Sequence, residues 1–209
     1  MSDYDLTEAE LLELGAATLG ESGGHAMRAR VHAAWPGARL AAPAFPVRCT
    51  PGDNLAIHVA VAEAPPEYAL VVEVGDQPEL GYWGEVLTTA ALARGLTGLV
   101  IDGGVRDIAA LHAHHFPAFS TMIALRGATK DKAGSVGRPV TVGDVEVGLG
   151  DWVVGDADGV TVVRAADLLQ VIDVGRTRAE KEEHFFAALR SGTTTMALLS
   201  LDGSPVTRA

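Results

Sequence analysis

The sequence predicts an α/β domain with a mixed sheet layered against helices, and three observations carry that prediction. Helical and strand-like periods alternate through the first part of the chain. Short apolar runs separated by Gly-Asp turns dominate the second part. The 209 residues, 48% of them hydrophobic, with a mean hydropathy of +0.20, suit a single compact, soluble domain over residues 1–209. Such a pattern leads to one sheet packed on helices, although periodicity leaves the strand order open.

The first element is a helix from Leu6 to Leu19, with Leu11, Leu12, Leu14 and Ala17 at helical spacing and Thr7 and Glu10 placed as a capping box. Gly20 to Gly24 ends it. Ala41 to Val47 reads as an extended segment whose prolines suggest a sheet edge. Asp53 to Ala64 returns to helical spacing and stops at Pro65-Pro66, and Tyr68 to Val74 is an apolar run suited to a buried strand. Next come a glycine-rich turn at Gly81 to Gly84, a helix from Glu85 to Arg94, and a strand from Gly98 to Ile101 closed by a second turn at Asp102-Gly103-Gly104.

Ile108 to His115 is predicted as a short helix, Ala118 to Ala124 as a strand, and Gly127 to Gly137 as a polar loop. Pro139 to Val142, Val145 to Val147, Trp152 to Val154 and Val160 to Val163 are the short strands. A long amphipathic helix from Ala165 to Ala188 follows, weakened at Gly175, with Leu168, Val171, Ile172 and Val174 facing in. A loose tail is expected from Ser191.

Composition excludes several functions. A net charge of -11 argues against a nucleic-acid surface, which needs clustered Lys and Arg to displace counterions. A lone cysteine, Cys49, allows no internal disulfide and suits a reducing compartment. No apolar run reaches membrane-spanning length and the N-terminus lacks a signal-like core, so no membrane partner is expected and the reading is cytoplasmic.

The chemistry concentrates between Gly81 and Asp107. A helix followed by a strand brings Glu85 and Arg106-Asp107 to the same sheet edge, where α/β proteins bind ligands. Backbone amides of Gly84, Glu85, Val86 and Leu87 open a helix and suit a carboxylate. Arg106 offers a planar fork of donors. Asp107 and Glu85 are hard oxygen ligands suited to Mg²⁺ or Mn²⁺. The alternative from the residues alone is that both acids merely cap helices and pair with arginines.

Trp83-Gly84-Glu85, Arg94-Gly95, Asp102-Gly103, Val105-Arg106-Asp107, Phe116-Pro117 and the segment from Gly150 to Val160 resemble the RraA-like proteins and the 4-hydroxy-4-methyl-2-oxoglutarate aldolases. The most specific part is an acid, twenty residues, then Arg-Asp: residues 86–105 are those twenty. The resemblance implies a swivelling β/β/α-like domain, a homotrimer or hexamer, and a divalent-metal aldolase acting on a small 2-oxo acid, with oxaloacetate decarboxylase activity. It implies that Asp107 binds the metal directly and Glu85 through water, that Arg106 contacts the keto oxygen, and that Lys130 lies near the far carboxylate. Glu182, with Glu183 equally placed, resembles an acid supplied by a neighbouring subunit. Some relatives carry a further acid where this chain has Ala110. The same family also implies an alternative, a non-catalytic regulator that binds an RNA-degrading endonuclease.

Three other candidates have simpler readings. His112, His114 and His115 read as a surface cluster, because only His112 and His115 have helical spacing. Asp156 to Gly159 reads as a turn between strands, since the later glutamate of a calcium loop is missing. Cys49 reads as a small buried residue.

Overall fold

The computed structural model describes residues 3–207, with side chains from residue 7 on. Helix α1 (Asp3–Glu21) leads into β1 (His25–Ala26), β2 (His32–Ala33) and the long β3 (Leu40–Cys49). Then α2 (Leu55–Glu63), β4 (Ala69–Glu73), β5 (Gly81–Trp83), α3 (Glu85–Ala93), β6 (Gly98–Val105), α4 (Ile108–Ala113) and β7 (Ala118–Ile123) carry the alternation. The short strands β8 (Gly134–Val136), β9 (Val140–Val142), β10 (Val145–Val147), β11 (Trp152–Asp156) and β12 (Gly159–Val163) precede α5 (Leu168–Arg190) and α6 (Thr195–Leu198).

The main sheet is mixed, in the order β1-β12-β11-β3-β4-β6-β7-β2, with β5 on β6 and β8 on β3. Strands β3, β4, β6 and β7 run parallel, whereas β11 and β12 join antiparallel. The sheet curls: a Cβ on Gly155 in β11 would lie 2.6 Å from the Phe119 ring in β7, although three strands separate them in the order. Leu70, Leu99, Ile101, Phe116 and Phe119 are fully buried in the larger core. A second cluster, with Leu11, Leu19, Trp152 and Ile172, forms where α1 and α5 cover the β11-β12 face.

The proline-based expectation of a sheet edge is wrong, because β3 is central. In an extended strand the N–H and C=O of one residue face the same side, and successive residues alternate. Ala44 exchanges hydrogen bonds with Asp151 and Gly150, so Pro43 faces the other side, ahead of Ala44, where β4 pairing begins. Pro46 accepts from Gly137 at 2.8 Å, which puts its missing N–H at the end of the β8 ladder. Neither proline interrupts a ladder that needs its donor.

The strand ending at Ile101 in the sequence reading continues to Val105. Gly103 and Gly104 are close-approach glycines: a Cβ would lie 2.8 Å from Val74 Cγ2 and 2.5 Å from the Leu80 carbonyl oxygen, respectively. Gly81 to Trp83 is likewise a buried strand rather than a turn. Helix α1 already runs through Thr7, so Thr7 is not at the helix start, and Glu10 pairs with Arg176 on α5. Gly15 breaks α1 with φ 77°, which frees the Ala16 N–H to donate to Asp156 Oδ2 at 2.8 Å. Gly175 does not weaken α5: it is buried, and its missing Cβ lets Leu14 pack close. Val174 is exposed rather than inward. Part of the expected tail is the short α6, capped by Thr194. Among the described residues, no helix is long and apolar enough to cross a membrane.

Candidate active site

The parallel strands β4, β5, β6 and β7 end at one edge, and the sequence-predicted chemistry gathers there. Strand β5 pairs with β6 through Gly81 and Trp83 opposite Gly104 and Val105, and the Arg106 N–H donates to the Trp83 carbonyl at 2.9 Å. The next residue on each chain then starts a helix. Asp107 takes the left-handed backbone region at φ 58°, which aspartate tolerates better than most residues. Its Oδ2 accepts from the Glu85 N–H at 3.0 Å and lies 3.7 Å from Arg106 Nε. Gly84 makes this possible, because a Cβ there would collide with Asp107 Oδ2 and press Arg106 Cγ at 3.0 Å.

Trp83 stiffens the floor. It donates through Nε1 to Thr88 Oγ1 at 2.8 Å and stacks on Phe116 with centroids 5.6 Å apart. The first turn of α3 stands above this floor, and the Val86 and Leu87 N–H groups have no intrahelical carbonyl to bond. Of the predicted amides, Glu85 N–H is therefore engaged by Asp107, while the next two remain for a ligand.

A cleft of about 140 Å³ is lined by Gly84, Val86, Leu87, Arg106 and Lys130. That is well under the ~300–1,000 Å³ typical of pockets for drug-sized ligands and suits a small acid. Arg106 and Lys130, 24 residues apart, supply two positive charges to one cleft. Lys130 arrives there through Asp53, a residue the sequence reading absorbed into a helix without a role. Asp53 is 1% exposed. It accepts from the Asp131 N–H and Thr129 Oγ1, each at 2.7 Å, from the Lys132 N–H at 3.2 Å and from the Leu55 N–H at 2.8 Å. Burial alone would raise its pKa. The bonds from Asp131, Leu55, Thr129 and Lys132 outweigh burial and hold the carboxyl far below the ordinary carboxylate range. The loop bearing Lys130 is thus clamped to the start of α2. The signal in sequence was Gly52-Asp53-Asn54 just ahead of an apolar helix, where an Asp side chain serves free backbone donors.

His114, read as part of a surface cluster, places Nε2 3.7 Å from Glu85 Oε1. His112 instead stacks on Trp35 at 4.8 Å. Cys49 is buried, and burial pushes its thiol up to about 12, which makes it inert as a nucleophile. Glu182 does not join the cleft within one chain: it pairs with Arg178 at 2.9 Å and lies with Glu183 along the groove between α1 and α5.

A divalent cation fits this donor set. Asp107 Oδ1 takes no hydrogen bond from a described residue, and Oδ2 takes one, so the carboxylate retains lone pairs for a hard ion. Among the described residues no group of three or more His, Cys, Asp or Glu forms a metal cage. Two carboxylates, Asp107 and Glu85, with the remaining positions left to water or ligand, match the habit of Mg²⁺ rather than of a closed structural site.

Comparisons with known proteins identify the family. The family model RraA-like, described as Aldolase/RraA, matches residues 5–162. A protein of Halalkalibacterium halodurans named "Putative 4-hydroxy-4-methyl-2-oxoglutarate aldolase" is 32% identical over 145 residues, 69% of either chain. The crystal structure of Streptomyces coelicolor RraAS2, described as an unusual member of the RNase ES inhibitor RraA protein family, superposes with a TM-score of 0.76 at 25% identity, over 91% of this chain and all of that one. The RNA-processing inhibitor RraA from Thermus thermophilis shares the fold at a TM-score of 0.64 and 24% identity, over 71% of this chain and 91% of that one. With its sequence matched across most of its length and its fold shared by these structures, the chain belongs to the RraA-like, or Aldolase/RraA, family.

Proposed function

We propose that the protein is a divalent-metal-dependent pyruvate aldolase that cleaves 4-hydroxy-2-oxo acids such as 4-hydroxy-4-methyl-2-oxoglutarate, with oxaloacetate decarboxylation as a companion activity. The observation that carries this reading is Asp107: an acid left open to ligands and fixed beside a helix N-terminus and beside Arg106, which lines a cleft sized for a small acid. The relative named as an aldolase supports it.

Asp107 and Glu85 would hold Mg²⁺ or Mn²⁺, which supplies Lewis acidity at the keto group when bound. The amides of Val86 and Leu87 bind the carboxylate next to that keto group, assisted by the helix dipole. Arg106 directs its fork at the keto oxygen, where negative charge grows as the C–C bond breaks, so its contact strengthens towards the transition state. Lys130 draws the far carboxylate.

Glu182, or Glu183 beside it, would reach a cleft only from a neighbouring subunit, in a homotrimer or hexamer. Val86, Ile123 and Leu125 are 78%, 62% and 83% exposed on elements that end at the site edge, an apolar rim suited to such an interface.

The test is pyruvate release from a panel of 4-hydroxy-2-oxo acids and oxaloacetate, with and without Mg²⁺ or Mn²⁺. Activity that requires the cation and vanishes with a chelator is expected, and full turnover in excess chelator would refute the metal role. A second reading, a regulator of an RNA-degrading endonuclease, has the description of RraAS2 in its favour. Inactivity on the whole panel, with inhibition of such a nuclease, would select it.

A further inference from the structure

Two residues that line the Arg106 cleft each carry a polar atom with no partner among the described residues. Asn54 ends the turn before α2 and His58 sits one helical turn on, which puts both on one face. Both line the cleft that Arg106 and Lys130 line. Asn54 is 5% exposed, and its Nδ2 donates to the Tyr82 carbonyl at 2.8 Å. That bond fixes the amide orientation, because a flipped amide would set oxygen against oxygen. Among the described residues, Asn54 Oδ1 is then a buried acceptor with no donor, and His58 Nε2 is likewise buried and unbonded.

Buried polar groups without partners are costly, and two of them on residues that line one cleft point to a group that a ligand brings. Asn54 Oδ1 only accepts, so it repels a carboxylate and calls for a donor. We propose that Asn54 and His58 read a hydroxyl group on the tail of the ligand, so that the cleft selects hydroxylated 2-oxo acids over analogues without the hydroxyl. The inference rests on reading the cleft as a 2-oxo acid site.

The electrostatics divide the cleft between two kinds of group. Burial first, and the Lys130 charge second, lower the His58 pKa, with Asp53 opposing them, which keeps the imidazole neutral near pH 7. A neutral imidazole offers one donor and one acceptor and matches a hydroxyl, which is both. Arg106 and Lys130 carry the affinity for carboxylates. Oxaloacetate presents only acceptors to Asn54 Oδ1, whereas a 4-hydroxy-2-oxo acid presents the missing donor.

The test uses the full chain with Mg²⁺ and a ligand pair that differs by the hydroxyl, 4-hydroxy-2-oxopentanoate and 2-oxopentanoate. The KM of the first and the competitive inhibition constant of the second are compared. In the wild type the hydroxylated ligand should be favoured by about ten- to a hundredfold, the usual consequence of leaving a buried group unpaired. His58→Leu should reduce the preference to under about threefold while leaving the 2-oxopentanoate constant nearly unchanged, and His58→Gln, which keeps a polar tip, should retain part of it. Asn54→Ala also releases the Tyr82 carbonyl, so the His58 variants are decisive. Equal constants in the wild type, or a full preference kept by His58→Leu, would overturn the proposal. If the wild type turns over neither hydroxy acids nor oxaloacetate, the aldolase reading fails by itself. Calorimetry on the two intact ligands then decides the hydroxyl preference, and the binding of neither ligand, or of both equally, overturns it.

Discussion

Asp53 and Asp107 are the same residue type, each next to a residue that lines one cleft, Asn54 and Arg106, and they are treated in opposite ways. Asp53 is buried and accepts four hydrogen bonds, from residues 55, 129, 131 and 132. Asp107 is partly open to solvent and accepts one bond, with Arg106 at a looser 3.7 Å. Asp102 and Asp151 follow the Asp53 pattern: Asp102 is filled by Arg30 and the Gly143 N–H, and Asp151 by Arg164 and the Gly148 and Ala165 N–H groups. A carboxylate whose lone pairs are filled by the protein holds the fold together, whereas one held in place but left open is available for chemistry.

That contrast breaks most sharply at Asp107. Asp107→Ala should lose at least ~10³-fold in activity, because it removes the hard ligand and the partner of Glu85 N–H together. Its melting temperature should fall by no more than a few degrees, since the lost bond is exposed and the added strain is that of one alanine in the left-handed region. A mutant that keeps near-normal pyruvate release would place Asp107 with the structural acids.

Arg106→Lys is the next largest effect. It keeps the charge and removes the planar fork, so kcat should fall roughly ten- to a thousandfold, by analogy with losing one oxyanion donor. Paired measurement of kcat and melting temperature reads the role: a less stable mutant with normal turnover would make Arg106 a structural partner of Asp107.

Gly84→Ala probes the geometry between them. Its Cβ would press on Asp107 Oδ2 and Arg106, and a shift of that size in the reacting groups should cost roughly tenfold or more in turnover. An alanine variant with wild-type kinetics would show that the close approach serves packing alone.

How much of this was legible in the sequence follows from where each feature is encoded. Glu85, Arg106 and Asp107 stood out because glycines flank chemically capable residues within one helix-strand unit, and their meeting follows from that unit alone. Asp53, Asn54 and His58 did not: the partners of the first two lie on β5 and on the loop from residue 129 to 132, and His58 meets that loop only across the cleft, which no local pattern foretells. The prolines of β3 misled for a related reason: an edge position follows only if the missing N–H faces a neighbouring strand, and that depends on where β4 and β8 begin pairing. Gly103 and Gly104 read as a turn because glycine serves turns and close packing alike. Only the Val74 side chain and the Leu80 backbone distinguish the two.

The mildest change sharpens the other side of the comparison. Asp53→Asn keeps the shape but replaces one oxygen by an N–H facing donors from Thr129, Asp131 and Lys132, or from Leu55, whichever way the amide turns. Losing charge-assisted bonds to a buried acid should cost about 1–3 kcal/mol at pH 7. Its sign with pH is fixed by the direction of the shift. The folded-state pKa lies below the unfolded value of ~3.9, so the ionised carboxylate contributes fully above that value. The contribution then falls progressively as pH drops below ~3.9 and is gone once pH passes the folded-state pKa. Wild type and Asp53→Asn should therefore differ most at pH 7, and in urea unfolding the gap should narrow as pH falls below ~3.9. A gap independent of pH would mean that the four bonds act through shape and not through charge. Because the loop carrying Lys130 depends on this clamp, the mutant should also weaken affinity for dicarboxylates more than for monocarboxylates, a split that a wholly structural Lys130 would not produce.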